Sequence, residues 1–371
     1  MKRIVIVQRR LTHYRVPLFT ALKEALAARD IQLELLVGHG TSTEEKKHDA
    51  GILPWARSIP THYWLADRLC WQSIGKHLHG ADLVITTQEN KLLQNHLLMF
   101  MPRRFKLAFW GHGANLQSGN PNGFKERFKR WTTNQVDWWF AYTELSASLV
   151  KAAGFPGDRI TVVNNAVDTS ELQRQRQSVT PEETQALRAS LGFSTGPVGV
   201  YLGSLYADKR LDFLFAAAEA IRHQVHDFHL LILGEGPERH RVQAWCGAHP
   251  WARWVGARFD REKVAYMSVA KIMLNPGAVG LGVMDAFVCM TPMITTECGS
   301  HGPEITYIKS GINGMVTANE LSAYVDTSVR LLRDARLLGA LRTGCATSAQ
   351  EYTVENMARR FTNGIEYVIG R

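Results

Sequence analysis

The stretch NPGAVGLGVMDAF, Asn275 to Phe287, sets three spaced glycines and then one acid in an otherwise apolar run. Glycines at a strand-to-helix corner let backbone N–H groups approach a ligand, and a helix start favours an anion. Gly280 and Leu281 stand where that corner should be, so a phosphate could dock on their amides. Asp285 follows about one turn into the helix, where its carboxylate can accept hydrogen bonds from two hydroxyls, as a ribose offers. A glycine-rich loop with Asp285 as an ordinary helix-start charge accounts for the stretch equally well.

Other apolar runs end in polar clusters of the same kind. LGSLYADKRLD brings Lys209 and Arg210 directly after a strand pattern. Two cations at a helix start oppose the helix dipole, and a bound diphosphate would compensate them; a solvated basic turn is the plainer alternative. LGEGPE adds a glycine corner at Gly234, with Glu235 readable as a turn residue. FWGHGANLQ sets His112 between two glycines at a strand end, which opens backbone space around a ring that is otherwise most often structural. The loop VQRRLTHYRVP, from Val7 to Pro17, carries Arg9, Arg10, His13, Tyr14 and Arg15 and no glycine. A dinucleotide fingerprint needs glycines after the first strand, so a nicotinamide-dependent dehydrogenase is disfavoured.

These corners require strands to hold them. RIVIVQ, IQLELLVG, ADLVITTQ, FKLAFWGHG, VDWWFAYT and RITVVNNAVD read as buried strands separated by helical patterns, and VGVYLGS, FHLLILGEGP, WARWVG, KIMLNPG, PMITT and NGMVT form a second series. Strands alternating with helices predict parallel sheets covered on both faces. At 371 residues the chain is long enough for two such sheets. The expected architecture is therefore α/β, with two Rossmann-like domains facing each other across a cleft. The expected boundaries are an N-terminal domain over 1–170, a linker over 171–196, a second domain over 197–350 and a C-terminal helix over 351–371. The linker region contains a helix start at Thr180-Pro181.

Hydrophobic residues make up 45% of the chain and charged ones 21%, ordinary for a soluble globular protein. No run is long enough for a membrane span, and the start is too short in apolar residues for a secretory signal. The cytoplasm is the expected location. The five cysteines show no paired spacing and predict neither zinc ligation nor a disulfide frame. A net charge of +9 favours anionic partners. GFKERFKRWTTNQVDWW places Phe124, Phe128 and Trp131 at helical spacing among Lys125, Arg127, Lys129 and Arg130. Such a stripe can lie on an anionic membrane surface or simply pack on its own domain. Nucleic-acid modules are not recognisable.

The ordered set LGSLYADK, LGEGPE, GAVGLGVMDAF, CMTPMIT, HGPEI and NGMV, preceded by NNAVD, resembles the retaining, nucleotide-sugar-dependent glycosyltransferases of family 4, with their B-type two-Rossmann fold (GT-B). The resemblance covers nearly the whole chain and is most specific in its second half. It implies that Lys209 holds a donor diphosphate with the amides around Gly280 and Leu281, and that Asp285 grips the ribose. Ser204, Arg210 and Gly234 complete the implied donor set. His112 matches a first-domain histidine near the transferred sugar, so His112 and Lys209 are the expected catalytic pair. Arg10, His13, Tyr14 and Arg15 are the expected acceptor contacts. The last helix would cross back to the first domain. Three positions depart from the family pattern. Gly277 replaces the first glutamate of Glu-x7-Glu, Ser204 replaces the arginine paired with the lysine, and RRLTHYR replaces a Gly-Gly loop. Arg210 or the arginines of the first-domain loop are expected to supply the missing charge.

The expected activity is transfer of a hexose-type sugar from a nucleoside diphosphate sugar to an acceptor hydroxyl with retention. A glycan or lipid-linked glycan in bacterial surface polysaccharide assembly is the expected acceptor, reached at the inner face of the membrane by peripheral attachment. No metal site and no cofactor are expected, the nucleotide sugar being a co-substrate, and nucleic acid is not an expected partner. A nucleotide-sugar epimerase on the same fold, or a non-catalytic protein binding anionic ligands or membranes, are the alternatives.

Overall fold

The structure, a computed structural model, describes residues 1–46, 49–113, 124–193 and 195–370, without the side chains of 124–126 and 129. The chain divides into two compact units, Met1–Asp168 with Val354–Arg371, and Thr169–Thr353.

Seven parallel strands build the first unit: β1 (Lys2–Gln8), β2 (Ile31–Val37), β3 (Arg57–Ser58), β6 (Leu83–Thr87), β7 (Lys106–Gly111), β8 (Trp138–Ala141) and β9 (Ile160–Val162). They lie in the order β3-β2-β1-β6-β7-β8-β9. An antiparallel hairpin, β4 (Thr61–Trp64) and β5 (Leu69–Gln72), stands beside the sheet. Both faces of β1 are buried: Ile4 and Ile6 join one apolar cluster, Val5 and Val7 the other. That double burial is why this strand reads as a continuous apolar run and does not alternate.

Helix α1 (Val16–Ala27) covers the first face with the helix at the chain's end (Val354–Val368, α9 below). The latter buries Val354, Met357, Ala358, Phe361 and Ile365, a stripe at helical spacing. Its Phe361 stacks on Phe140 at 4.6 Å and meets Trp110 edge-on at 5.0 Å. At Gly364 a Cβ would stand 2.5 Å from Thr161 Oγ1 and 2.8 Å from Phe140 Cε1, so only glycine allows this approach of helix to sheet. On the other face α2 (Leu93–Phe100) buries Leu98 and Met99, and α3 (Phe124–Thr133) meets it where Trp131 stacks on Phe100.

The second unit has a six-stranded parallel sheet of β10 (Val198–Leu202), β11 (His229–Leu233), β12 (Ala252–Trp254), β13 (Ile272–Leu274), β14 (Met293–Thr296) and β15 (Gly314–Thr317). Their order is β12-β11-β10-β13-β14-β15. Both sheets reverse direction beside their first strand, the doubly wound Rossmann pattern, whose ligands bind beyond strand ends at that reversal. The segment 171–196, expected as a linker, is mostly helical, and it lies within the second unit's bounds. It holds part of α4 (Thr169–Gln177) and all of α5 (Pro181–Ser190), the latter capped by the Thr180 hydroxyl with Pro181 at its first position. Arg261, on α7 (Asp260–Ser268), grips Glu183 through two N–H groups at 2.6 Å each, fixing α5 to the body of the unit.

Candidate functional site

In the second unit the reversal falls between β10 and β13, and the loops leaving those strands are bonded to one another. The Ala278 amide donates to the Asp208 carbonyl at 3.2 Å, and Lys209 Nζ donates to the Ala278 carbonyl at 2.6 Å. Lys209 ends a single 3-10 turn, Ala207–Lys209, and is half-buried. Burial pushes its ammonium pKa down, against the pull of Asp208 and Cys298. Ala278 takes one of its three N–H donors, which leaves a desolvated cation with hydrogen-bonding capacity in hand.

Arg210 follows in the left-handed region at φ 55°, ψ 50°, and opens α6 (Leu211–Gln224). That conformation costs about 1–2 kcal/mol for a residue with a Cβ. One guanidinium nitrogen offsets it by donating to Pro276 O at 3.2 Å, Thr296 Oγ1 at 3.0 Å and Asn319 Oδ1 at 2.6 Å. Arg210 thus ties together the loops after β10, β13 and β15 and the end of β14. The expectation that it replaces a missing diphosphate clamp meets a side chain already engaged in holding the corner.

Gly277 shows why the family's glutamate is missing. A Cβ there would stand 2.6 Å from the Asp208 carbonyl oxygen and 2.6 Å from the Lys209 carbonyl carbon. The loop after β10 passes where any side chain would begin. Gly280, three residues on, faces open space, and among the described residues neither its amide nor that of Leu281 has an acceptor. Both precede α8 (Gly282–Val288), so these amides and Lys209 offer an anion N–H donors from adjoining corners.

His301 braces this corner from the loop after β14. Its Nδ1 accepts from the Val279 amide at 3.1 Å, which leaves the Nε2–H to donate to the Thr296 carbonyl at 2.7 Å. Burial lowers its pKa, and the neighbouring Lys209 and Arg210 charges lower it further. The ring is therefore a neutral strut whose tautomer is set by its two backbone partners.

Asp285 lies on α8 and forms an ion pair with Lys263 of α7, Nζ to Oδ1 2.6 Å, both side chains mostly buried. A ribose on Asp285 would share the carboxylate with that ammonium. Ser204 is exposed and contributes its carbonyl, which accepts from the buried Tyr201 hydroxyl at 2.9 Å. Gly234 serves packing: a Cβ would strike the Gly203 carbonyl, and its own carbonyl accepts from Trp254 Nε1 at 2.9 Å.

The expectation that the arginines of the loop after β1 supply the missing charge meets two that are already paired. Arg9 is held in a fork by Glu44 through two contacts of 2.6 Å and reaches Glu89 at 3.1 Å. Its hydrogen bonds hold the Glu44 carboxyl down at about 2. Arg10 is forked onto Asp49 at 2.7 and 2.8 Å. Neither supplies uncompensated charge. His13 is exposed, with its amide on the Asp49 carbonyl at 2.9 Å, and its ring meets Tyr14 edge-on. Arg15 is 5% exposed, with Trp110, Tyr14 and Tyr142 rings 4.7, 5.2 and 5.4 Å from its guanidinium carbon.

His112, exposed after β7, stands 4.3 Å from the Tyr142 ring. Gly113 beside it has φ 77°, and a Cβ there would meet Val150 Cγ2 at 2.6 Å, so the loop turns against the helix Glu144–Ala152. The residues 114–117 of the FWGHGANLQ motif lie outside the described residues. The structure thus gathers Lys209, Arg210, Gly280 and Leu281 in the second unit, and Tyr14, Arg15 and His112 around the same rings in the first. Lys263, Thr296, His301 and Asn319 escaped sequence reasoning. Thr296 and His301 are polar residues at or just beyond a strand's carboxyl end, the one signal available.

Residues 196–334 match the family model described as Glycosyl transferases group 1, and residues 18–171 match that for Glycosyltransferase Family 4. The 2-deoxystreptamine glucosyltransferase of Streptomyces kanamyceticus is 24% identical over 253 residues, 66% of this chain and 64% of that protein. The D-inositol 3-phosphate glycosyltransferase of Jonesia denitrificans is 27% identical over 215 residues, 54% of this chain and 50% of its own length. The chain thus matches less than two thirds of the length of either relative. A crystal structure of Anabaena HepE in complex with UDP and glucose superposes with a TM-score of 0.68 at 16% identity, covering 99% of this chain and 100% of that one. The fold is therefore the two-Rossmann GT-B fold.

Two outcomes follow from the corner. Gly277→Glu, which restores the family's residue on paper, should destabilise the second unit by about 1–3 kcal/mol through overpacking; denaturant unfolding at wild-type midpoint would refute the steric account. Because His301 binds its proton less readily when folded than unfolded, its stabilisation is complete above about pH 6.5 and is lost as the pH falls through its lower folded value. His301→Gln should therefore flatten the acid side of the stability–pH profile, and parallel profiles for the two proteins would count against the strut.

Proposed function

Because the chain belongs to the group 1, family 4 glycosyltransferases, we propose that it moves a hexose-type sugar from a nucleoside diphosphate sugar to an acceptor hydroxyl, with retention at the anomeric carbon. The observation that carries this reading is the corner of Lys209 and the Gly280 and Leu281 amides at the sheet's reversal. When the sugar–phosphate bond breaks, negative charge grows on the departing diphosphate while the anomeric carbon becomes oxocarbenium-like. Donors already aimed at that charge lower the barrier, by several kcal/mol in comparable oxyanion sites. Lys209 is already partly desolvated and fixed by Ala278, so little reorganisation is required as charge develops. Asp285 would take the ribose hydroxyls, and His112 would hydrogen-bond a hydroxyl of the sugar in flight. The acceptor contacts proposed for the first unit are His13, Tyr14 and Arg15. In this reading no metal is required, because a lysine and two amides supply the positive field. The neighbour that holds UDP makes uridine nucleotides the first to test.

Leu97, Phe100 and Trp131 on α2 and α3 are 53%, 52% and 51% exposed, and Phe100 stacks on Trp131 at 5.1 Å. Phe128 packs against Trp131 at 5.7 Å, and Arg127 and Arg130 on the same helix, with Arg104 just after α2, are exposed. Phe124, Lys125 and Lys129 of the expected stripe lie outside the described side chains. Among the described residues no helix is long and apolar enough to cross a membrane. Exposed aromatic rings on helices that carry or precede exposed arginines suit peripheral attachment to an anionic bilayer, where a lipid-linked glycan of surface polysaccharide assembly would be met on the cytoplasmic face.

UDP should raise the melting temperature of the wild-type protein by mass action, and Lys209→Ala should weaken that binding at least tenfold, about 1.4 kcal/mol. An unchanged affinity in the variant would remove the donor corner from the reading, and nucleotide release that ignores added acceptor would favour an epimerase or hydrolase. Flotation with phosphatidylglycerol vesicles should recover the protein at low salt, and Phe100→Ser with Trp131→Ser should abolish recovery, each ring being worth about 1.5–3 kcal/mol when buried. Equal recovery with neutral vesicles would sink the membrane part.

A further inference from the structure

Three arginines follow β1 within seven residues, and the structure treats the third unlike the others. Arg9 and Arg10 are each forked onto a carboxylate. Arg15 is buried more deeply, with 5% of its surface exposed, yet among the described residues its side chain has neither an acidic partner nor a hydrogen-bond acceptor, and its buried NH1 is left unpaired. A guanidinium carries five N–H donors in one plane and cannot shed its charge. Burying it without an anion is costly, and structures rarely leave it so.

Its surroundings show what is provided and what is missing. Trp110, Tyr14 and Tyr142 lie 4.7, 5.2 and 5.4 Å from the guanidinium carbon, so ring π-electrons partly replace water around the cation. Rings satisfy charge but do not replace an acceptor for the N–H fork. The residue also stands at the amino end of α1, where the helix dipole disfavours a cation and favours an anion. The outer members of the cage are Tyr14, which is half-buried, and His112, which is exposed and packed on Tyr142. A planar fork with unused donors, held by aromatic rings at a strand end, matches the geometry of a tetrahedral or carboxylate oxyanion.

We propose that Arg15, caged by Tyr14, Trp110 and Tyr142 with His112 at the rim, is an oxyanion subsite that takes a phosphoryl group. The inference rests on the transferase reading only for the source of that group, which is either the donor's diphosphate or a phosphate on the acceptor. Arg9 and Arg10 have no such part, because their forks are filled by Glu44 and Asp49. With 5% of its surface exposed, Arg15 is reached by an anion only as the side chains around it shift.

The test uses the full chain and two probes, inorganic phosphate and UDP, with binding followed by thermal shift and calorimetry. In the Lys209→Ala background, which weakens the donor corner, phosphate should still stabilise the protein. Adding Arg15→Met should remove that response, and adding Arg15→Lys, which keeps the charge but not the fork, should keep a fraction of it. If Arg15→Met in otherwise wild-type protein also weakens UDP roughly tenfold, the donor is the source; if UDP is unaffected, the acceptor is. A phosphate response that is absent at the start, or unchanged by both Arg15 substitutions, overturns the subsite and leaves Arg15 as an aromatic-packed structural cation. Arg15→Lys keeps the test open should the methionine variant not fold. Loss of UDP binding in Lys209→Ala tests the donor corner separately, so the two readings can fail independently.

Discussion

The second unit depends on one steric fact. The backbone after β10 crosses the loop after β13 at Gly277, with 2.6 Å between the place of a Cβ and the Asp208 carbonyl. That crossing puts the Lys209 ammonium onto the Ala278 carbonyl and forces Arg210 into a left-handed turn. Thr296, His301 and Asn319 then fasten the crossing to the loops after β14 and β15. Four strand ends are thereby held as one rigid corner, with the Gly280 and Leu281 amides on its open side. A glutamate at position 277 and this crossing are mutually exclusive, so the departure from the family pattern has a steric cause in this chain.

The first unit solves an electrostatic problem in the opposite way. Its leading loop is rich in arginine, but Glu44, Glu89 and Asp49 return two of those charges to near neutrality. The short helical turn Ser42–Glu45 that carries Glu44 is itself held by a reciprocal cap with Thr41. Net positive charge in the composition therefore does not translate into a positive surface at this loop. What survives is local: a caged Arg15, and the exposed arginines around Phe100 and Trp131.

The twelve strands that were legible in the sequence share a cause. Each is a short apolar run, buried on the sheet's faces and stopped by glycine or polar residues, so its pattern is local. The hairpin β4–β5 was not legible, because its half-exposed strands are joined through Leu65, Ala66 and Asp67, all at positive φ without glycine or asparagine to announce a turn. Lys209, Gly280 and Leu281 could be placed from the order of motifs alone. Their supports could not: the Asp49 fork on Arg10 joins residues 39 apart, and the Lys263 pair with Asp285 joins two helices. Pairings of that kind are decided by packing, and a loop that reads as cationic in one dimension has two of its three arginines neutralised in three.

The chain leaves the first unit at Asp168 and supplies its final helix only from Val354. Phe361 and Ile365 seal the core formed by Ile4, Ile6, Trp110 and Phe140, so those side chains stay uncovered while the intervening residues are being synthesised. Vectorial folding from the amino terminus, the usual order for multidomain chains, is thus denied to this protein's opening half. The emerging polypeptide must carry an unfinished aromatic surface until residues 354–368 have been made, and the second unit is free to fold before the first is complete.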